Sequence, residues 1–312
     1  MEIDVIIPLY KPGKELFTLL DKLGSQSVPV HQVILLNTEE KYFDQLIYGI
    51  RFLETYQNIK VYHVSKRKFD HGGTRRMGVK KSSADVFVMM TQDAMPKDDR
   101  LIEKLVEPLQ GEVAVAYARQ LPREDSTPVE SYTREFNYPA KSRIKSAADL
   151  DSLGIKTFFC SNVCAAYRRE IYEELGGFVR HTIFNEDMIY AAKAVEAGYS
   201  VAYAADAQVV HSHNYTNGQQ FHRNFDLGVS QAEHPEIFAA YPSESEGKRM
   251  VKDVTVYLRS NHMSAGLPHF YMQCACKYAG YLLGKNYRRL PKKWVLAFTS
   301  NKEYWKQNRK DV

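Results

Sequence analysis

Three groups of polar residues end apolar runs in this chain: Asp93, the adjacent pair Glu186 and Asp187, and the closely spaced His211 and His213. A carboxylate with one or two imidazoles can hold a divalent cation, and a second carboxylate can take a proton from an attacking hydroxyl. Each group also has a plain structural explanation. An Asp at a strand end is commonly a turn residue, acidic side chains favour the first turn of any helix, and paired histidines after a strand are usually surface. The chemistry therefore depends on whether the fold brings the three groups together.

The elements around them follow from the pattern of apolar residues. In "DVFVMMTQDAMP" the run Val86–Met90 predicts a strand buried on both faces, ending on Thr91, Gln92 and Asp93. "DVIIP", "HQVILLN" and "IKVYHVS" predict three further strands, and "KELFTLLDKLGSQ" a helix with Leu16, Leu19, Leu20 and Leu23 on one stripe. "HGGTRRMGVKKSS" reads as a glycine-led helix, and "EVAVAYARQLP" as a strand followed by a polar loop and helix as far as about Leu153. Asn185 is placed to cap a helix with Glu186 and Asp187 in its first turn and Gly198 at its end; a strand to Val210 then delivers the histidines. Strands alternating with helices at this rhythm give an α/β fold, a mostly parallel sheet covered by helices on both faces. In such sheets ligands bind beyond the carboxyl ends of the strands, which is where Gln92 and Asp93 fall.

The chain has 312 residues and a net charge of +5, unevenly distributed. Residues 241–312 carry 14 Lys and Arg against 5 Asp and Glu, or +9, leaving 28 − 32 = −4 for residues 1–240. Both tryptophans, Trp294 and Trp305, lie in this basic region among Tyr278, Tyr281, Tyr287 and Tyr304. Basic residues interleaved with aromatics suit an anionic membrane surface, or else a dimer interface or a helical cap. No apolar run approaches the ~20 residues that span a bilayer, and the first strand starts at the N-terminus without a signal sequence, so a cytoplasmic, at most peripheral, protein is expected. Cys160, Cys164, Cys274 and Cys276 have neither zinc-site nor secreted-disulfide spacing and read as reduced packing residues. Nothing suggests a nucleic-acid partner.

In this order and spacing, "VIIPLYKPGKELFTLLDKLGSQ", "DHGGTRRMGVKKSSADVFVMMTQDAMP", "SNVCAAYRREIYEELGGF", "FNEDMIYAAKAVEAGY" and "VVHSHNYT" resemble the large inverting glycosyltransferase family 2, with its GT-A nucleotide-sugar fold, over roughly residues 3 to 230. "FDHGGTRR" followed by "TQDA" is most similar to bacterial rhamnosyltransferases of cell-surface polysaccharide synthesis. The resemblance implies that Asp93 matches the last acid of the family's Asp-x-Asp motif and holds Mg²⁺ or Mn²⁺ against the donor diphosphate, with His211, or alternatively His213, completing the site. It implies that Asp187 is the general base and that Glu186 orients its neighbours. Pro8, Tyr10 and Asn37 would line the nucleotide pocket; His71, Gly72, Gly73, Thr74 and Arg75 would contact the donor, with glycine permitting close approach and arginine pairing with phosphate. Gln92 adjoins the metal-binding acid, and Ser161 and Asn162 would face sugar or acceptor. Two positions depart from the pattern: Asn37 stands where an Asp is usual, and Thr91 replaces the first acid of the motif, so a metal would draw on phosphate, water and His211.

The expectation is a GT-A catalytic domain at 1–230 and a helical, basic and aromatic region at 231–312 that meets a membrane surface or a second copy. The enzyme would move a sugar, L-rhamnose from dTDP-β-L-rhamnose, to a growing lipid-linked polysaccharide, forming an α-rhamnoside. The alternatives are a sugar nucleotidyltransferase and a non-catalytic glycan-binding scaffold. Against the first, "PLYKPGKEL" is a weak match to a phosphate loop; against the second, a binding module needs no base.

Overall fold

The computed structural model describes residues 1–241 and 244–306. Nine strands form one sheet: β1 (Ile3–Tyr10), β2 (Gln32–Thr38), β3 (Ile59–Val64), β4 (Val86–Met90), β5 (Met95–Pro96), β6 (Val113–Leu121), β7 (Arg143–Lys145), β8 (Cys164–Arg168) and β9 (Ser200–Val210). Their order is β3-β2-β1-β4-β8-β6-β9-β5, with β7 pairing β9 from the side. Strands β1, β2, β3, β4, β6 and β9 run one way and β5, β7 and β8 the other. The sheet is thus mixed but mostly parallel, and β4, β6 and β9 end at the same edge.

Alternation along β1 shows how helices cover both faces. Ile3, Val5, Ile7 and Leu9 point into one core with Leu16, Leu19, Leu20 and Leu23 of the Glu15–Gly24 helix, while Ile6 joins Ile34, Leu36, Phe87 and Met89 in the other. Beneath the functional edge the second core is aromatic. Phe87 stacks on Tyr167 at 5.2 Å, and Tyr172, Phe178 and Tyr190 close around that pair edge-on or tilted. Such packing is rigid and dense.

The expected helix after the polar junction at 70 is present as His71–Lys81, but glycine does not lead it. Asp70 caps it, its Oδ1 accepting from the Gly73 amide at 2.6 Å and its Oδ2 from the Thr182 amide at 3.0 Å. The polar stretch after β6 contains a helix, Pro128–Asn137, capped by Thr127, and adds β7 to the sheet. The Glu186–Glu196 helix starts as expected, with a different device at its start. Asn185 is left-handed (φ 63°) and makes no cap; its amide donates to Ser230 Oγ instead.

From Asn217 onward the described chain is helical. The Asn217–Glu233 helix, in which residue 230 lies, crosses the Leu267–Lys285 helix closely. Gly280 and Gly284, four apart on one face, lie against the backbone of Phe221 and Phe225; a Cβ at either would collide with those carbonyls. The Glu244–Ser260 helix joins through Val254, Leu258 and Phe270.

Candidate active site

The turn after β4 is pinned by β5, whose Met95 pairs with Val210 at the end of β9, so Asp93 lies beside the exit of the histidine strand. His213 Nε2 is 3.1 Å from Asp93 Oδ2, His211 Nε2 is 3.5 Å from Asp93 Oδ1, and the two imidazole nitrogens are 3.2 Å apart. Both histidines therefore converge on Asp93. The buried His211 is oriented by Gln120, whose Oε1 lies 3.1 Å from Nδ1. Arg134 also donates to that oxygen. An amide oxygen that already accepts from a guanidinium can only accept again, so Nδ1 carries the proton and Nε2 offers a lone pair. Burial holds His211 below the ordinary imidazole value against the pull of Asp93. For Asp93, burial alone would raise the carboxyl, but the facing imidazoles of His211 and His213 outweigh it and hold the group well below its ordinary range. At most one proton can sit between the facing nitrogens, and its loss leaves a carboxylate and two lone pairs within 4.8 Å of one another, a set that fits a divalent cation.

A second cluster sits on the first turn of the Glu186–Glu196 helix. Glu186 is buried, accepts from Asn162 Nδ2 at 3.0 Å and pairs with Arg75 at 3.2 Å. Burial would push its carboxyl up; Arg75, His71 and Asn162 together bring it below the usual value. Asp187 accepts from the backbone amides of Asn162 (2.9 Å) and Met188 (2.8 Å), yet burial, reinforced by the charge of Glu186, pushes it up to about 7. Two adjacent carboxylates are thus set apart: one locked as an anion by arginine, the other poised to exchange a proton near neutral pH.

The two clusters are joined through a residue that sequence reading missed. Gln120 Nε2 donates to Ser161 Oγ (2.9 Å) and to Tyr138 Oη (2.6 Å), while its oxygen holds His211. Ser161 is next to Asn162, which holds both acids. The one signal in the sequence was a glutamine, next to Arg119, at the end of the mostly apolar strand "EVAVAYARQLP", and its partners Arg134, Ser161 and His211 are 14, 41 and 91 residues away.

Several expected donor contacts have other employment. Asn162 uses Nδ2 on Glu186 and its backbone amide on Asp187, and its oxygen accepts from Tyr167, so it clamps the acids rather than facing a sugar. Arg75 is committed to Glu186 and His71. Gly72 is small because the Val179 carbonyl occupies its Cβ position, and the Gly73 amide is taken by Asp70. Thr74 Oγ1 accepts from the Asp70 amide. Gln92 latches onto Tyr10 from both ends of its amide, at 2.9 and 3.2 Å, tying β4 to β1. Asn37 is wholly buried, its Nδ2 facing Glu39 O and His63 Nδ1. Pro8 is half-buried on β1, and the ring of Tyr10 is 40% exposed beside Tyr42, with Lys11 and Lys66 near its face. That aromatic and cationic ledge is the open surface at the end of β1.

A model of the family described as Glycosyl transferase family 2 matches residues 4–176, over half of the chain. The chain belongs to glycosyl transferase family 2. It is 40% identical to the O-antigen chain rhamnosyltransferase RfbN of Salmonella typhimurium over 98% of this chain and 96% of that one. It is 37% identical to the O-antigen chain rhamnosyltransferase WbaN of Salmonella anatum, over 96% and 95%. The mannosyltransferase PcManGT from Pyrobaculum calidifontis, in complex with GDP-Man and Mn²⁺, superposes with a TM-score of 0.61 at 15% identity, covering 91% of this chain and 87% of that one. TarS 1-349 of S. aureus superposes with a TM-score of 0.52 at 14% identity over 93% and 92%. The fold is therefore of the expected GT-A kind, and this family 2 chain is a glycosyltransferase, which sets aside both the nucleotidyltransferase and the non-catalytic scaffold.

Proposed function

We propose that the enzyme transfers L-rhamnose from dTDP-β-L-rhamnose to a lipid-linked polysaccharide acceptor, with inversion to an α-rhamnoside. The observation that carries the mechanism is the unequal surroundings of the acid pair: Glu186 faces the Arg75 guanidinium at 3.2 Å, while Asp187 is held by two backbone amides beside it. With Glu186 held as an anion by Arg75, Asp187 is the member of the pair that can exchange a proton and act as the base. An acceptor hydroxyl loses its proton to Asp187 as its oxygen forms the new bond to the anomeric carbon, and the bond from that carbon to the diphosphate breaks with its electron pair leaving on the nucleotide. Asp93, His211 and His213 would hold the divalent cation, which neutralises the charge developing on the diphosphate. Two imidazoles in the set favour Mn²⁺ over Mg²⁺. Tyr10, Lys11 and Lys66 supply a stacking face and positive charge for the nucleotide. Rhamnose as the donor sugar is supported by the two Salmonella relatives.

The division into a catalytic part up to about residue 230 and a helical part beyond it forms part of the same proposal, as does docking on the inner face of the cell membrane. Among the described residues no helix is long and apolar enough to cross a membrane. Tyr271, Tyr278 and Leu282 are exposed along one helical stripe, however, and exposed Trp294 follows Lys292 and Lys293. That pattern suits an anionic lipid surface better than a dry homodimer contact. Incubation with a panel of nucleotide sugars and Mn²⁺ or Mg²⁺, scored for nucleoside diphosphate release, tests the donor. The expected result is turnover of dTDP-rhamnose, faster with Mn²⁺; release of pyrophosphate, or preference for another sugar, contradicts it.

A further inference from the structure

A cavity of about 710 Å³ lies between the Pro128–Asn137 helix, the segment from His213 to Asn217, and the Glu244–Ser260 and Leu267–Lys285 helices with the turn between them. A second, of about 360 Å³, lies between Pro12 to Leu16 and the Gln92–Asp93 turn. His213 lines the larger and Asp93 the smaller, so both border the candidate cation site. The larger is in the size range of a small-molecule binding site.

Its walls are chemically mixed. Val129, Leu258, Met263 and Phe270 supply apolar surface, while Asn214 and Gln273 supply hydrogen-bonding groups. Lys277 is the unusual member. It is half-buried and has no hydrogen-bond or ion-pair partner among the described residues, and burial pushes its ammonium below the ordinary lysine value. The neighbouring Glu130 is already paired with Arg134 at 2.8 Å, and Arg134 and Arg223 add positive charge. A partly desolvated cation with no carboxylate of its own favours a ligand that brings an anion. Apolar faces interleaved with hydrogen-bonding side chains match the two faces of a sugar ring.

We propose that this cavity seats the acceptor saccharide and that Lys277 meets an anionic phosphate carried by it. The inference rests on the glycosyltransfer reading above and extends it. The C-terminal helices become one wall of the active site, and the acceptor hydroxyl reaches the transfer centre past His213.

The test uses the full-length protein, dTDP-rhamnose labelled in the sugar, and membranes from cells in which the gene is deleted. Wild-type enzyme should label membrane lipid, and hexose 1-phosphates should inhibit this more strongly than the matching methyl hexosides. Ala265→Trp, which fills the cavity from its exposed wall, and Lys277→Ala should each raise the acceptor KM at least about tenfold, with dTDP affinity and donor KM unchanged. Lys277→Arg should keep the acceptor KM within about threefold of wild type, and Lys277→Ala should abolish the preference for phosphate-bearing inhibitors. An unchanged acceptor KM in both Ala265→Trp and Lys277→Ala, or a matching loss of dTDP binding, overturns the assignment of the cavity. Equal inhibition by phosphates and methyl hexosides overturns the role of Lys277. Absence of any transfer by wild-type enzyme overturns instead the glycosyltransfer reading, and this proposal with it.

Discussion

At the carboxyl edge of the sheet, charged and polar side chains are brought together by strands that are almost wholly apolar. In the helical half, glycines bring backbones together, and aromatic and basic side chains are left facing outward. The first arrangement fixes a few charges against a rigid aromatic core, where burial can raise a carboxyl well above its ordinary range. The second makes surface and cavity wall, where recognition rather than proton transfer is decided. On the function proposed above, catalytic roles fall to the edge and acceptor and membrane roles to the helices, and substitutions in the two halves should fail differently.

The largest effect is expected at the edge. Asp93→Ala removes the one carboxylate of the candidate cation site, and stripping the metal with a chelator should mimic it: each should lower kcat by about 10³-fold, several kcal/mol of transition-state stabilisation. Gln120→Leu leaves every proposed ligand in place but frees the ring of His211. The Mn²⁺ concentration needed for half-maximal activity should rise about 10- to 100-fold, read from a metal titration. In the helical half, Gly284→Ala drives a methyl group against the Phe225 carbonyl and should cost about 1–3 kcal/mol. Thermal unfolding should show it as a lower midpoint, with dTDP affinity intact. The smallest effect belongs to the exposed aromatics: Trp294→Ala should weaken co-sedimentation with anionic vesicles about three- to tenfold and leave transfer to a water-soluble acceptor unchanged. A Gly284→Ala enzyme that loses nucleotide affinity, or a Gln120→Leu enzyme with normal metal dependence, would erase the distinction between the halves.

The same contrast explains what the sequence made legible. Strands such as Val86–Met90 declare themselves because every side chain is buried, and a charged residue at the end of such a run marks the functional edge. Asp93 and His211 could be picked out in this way, and Asp187 by its place in the first turn of a helix together with the family resemblance. Gln120 could not, since one polar residue in a strand says nothing about partners brought in by other elements. The Pro128–Asn137 helix was legible only as a helix somewhere in a polar stretch, because none of its residues is fully buried and its apolar residues Val129 and Tyr132 are covered only in part, by residues from helices far along the chain. Asn185 looked like a cap because residue type alone does not reveal a left-handed backbone. In "KYAGYLLGKN" the two glycines four apart were visible, but whether such a pair meets another helix depends on what folds against it.

The central claim is that Asp187 is the proton acceptor, held near neutrality by burial and by Glu186. The most direct test is kcat against pH for wild type, Glu186→Gln and Asp187→Asn, with Mn²⁺ saturating. A raised carboxyl pKa means that the active, ionised base appears only as pH rises, so wild-type kcat should climb to a plateau around an apparent pKa of about 7. Removing the neighbouring negative charge in Glu186→Gln should move that limb to lower pH. Asp187→Asn should lose the limb and about 10²- to 10⁴-fold of the rate. A near-wild-type rate in Asp187→Asn, or the same limb in all three proteins, would contradict the assignment.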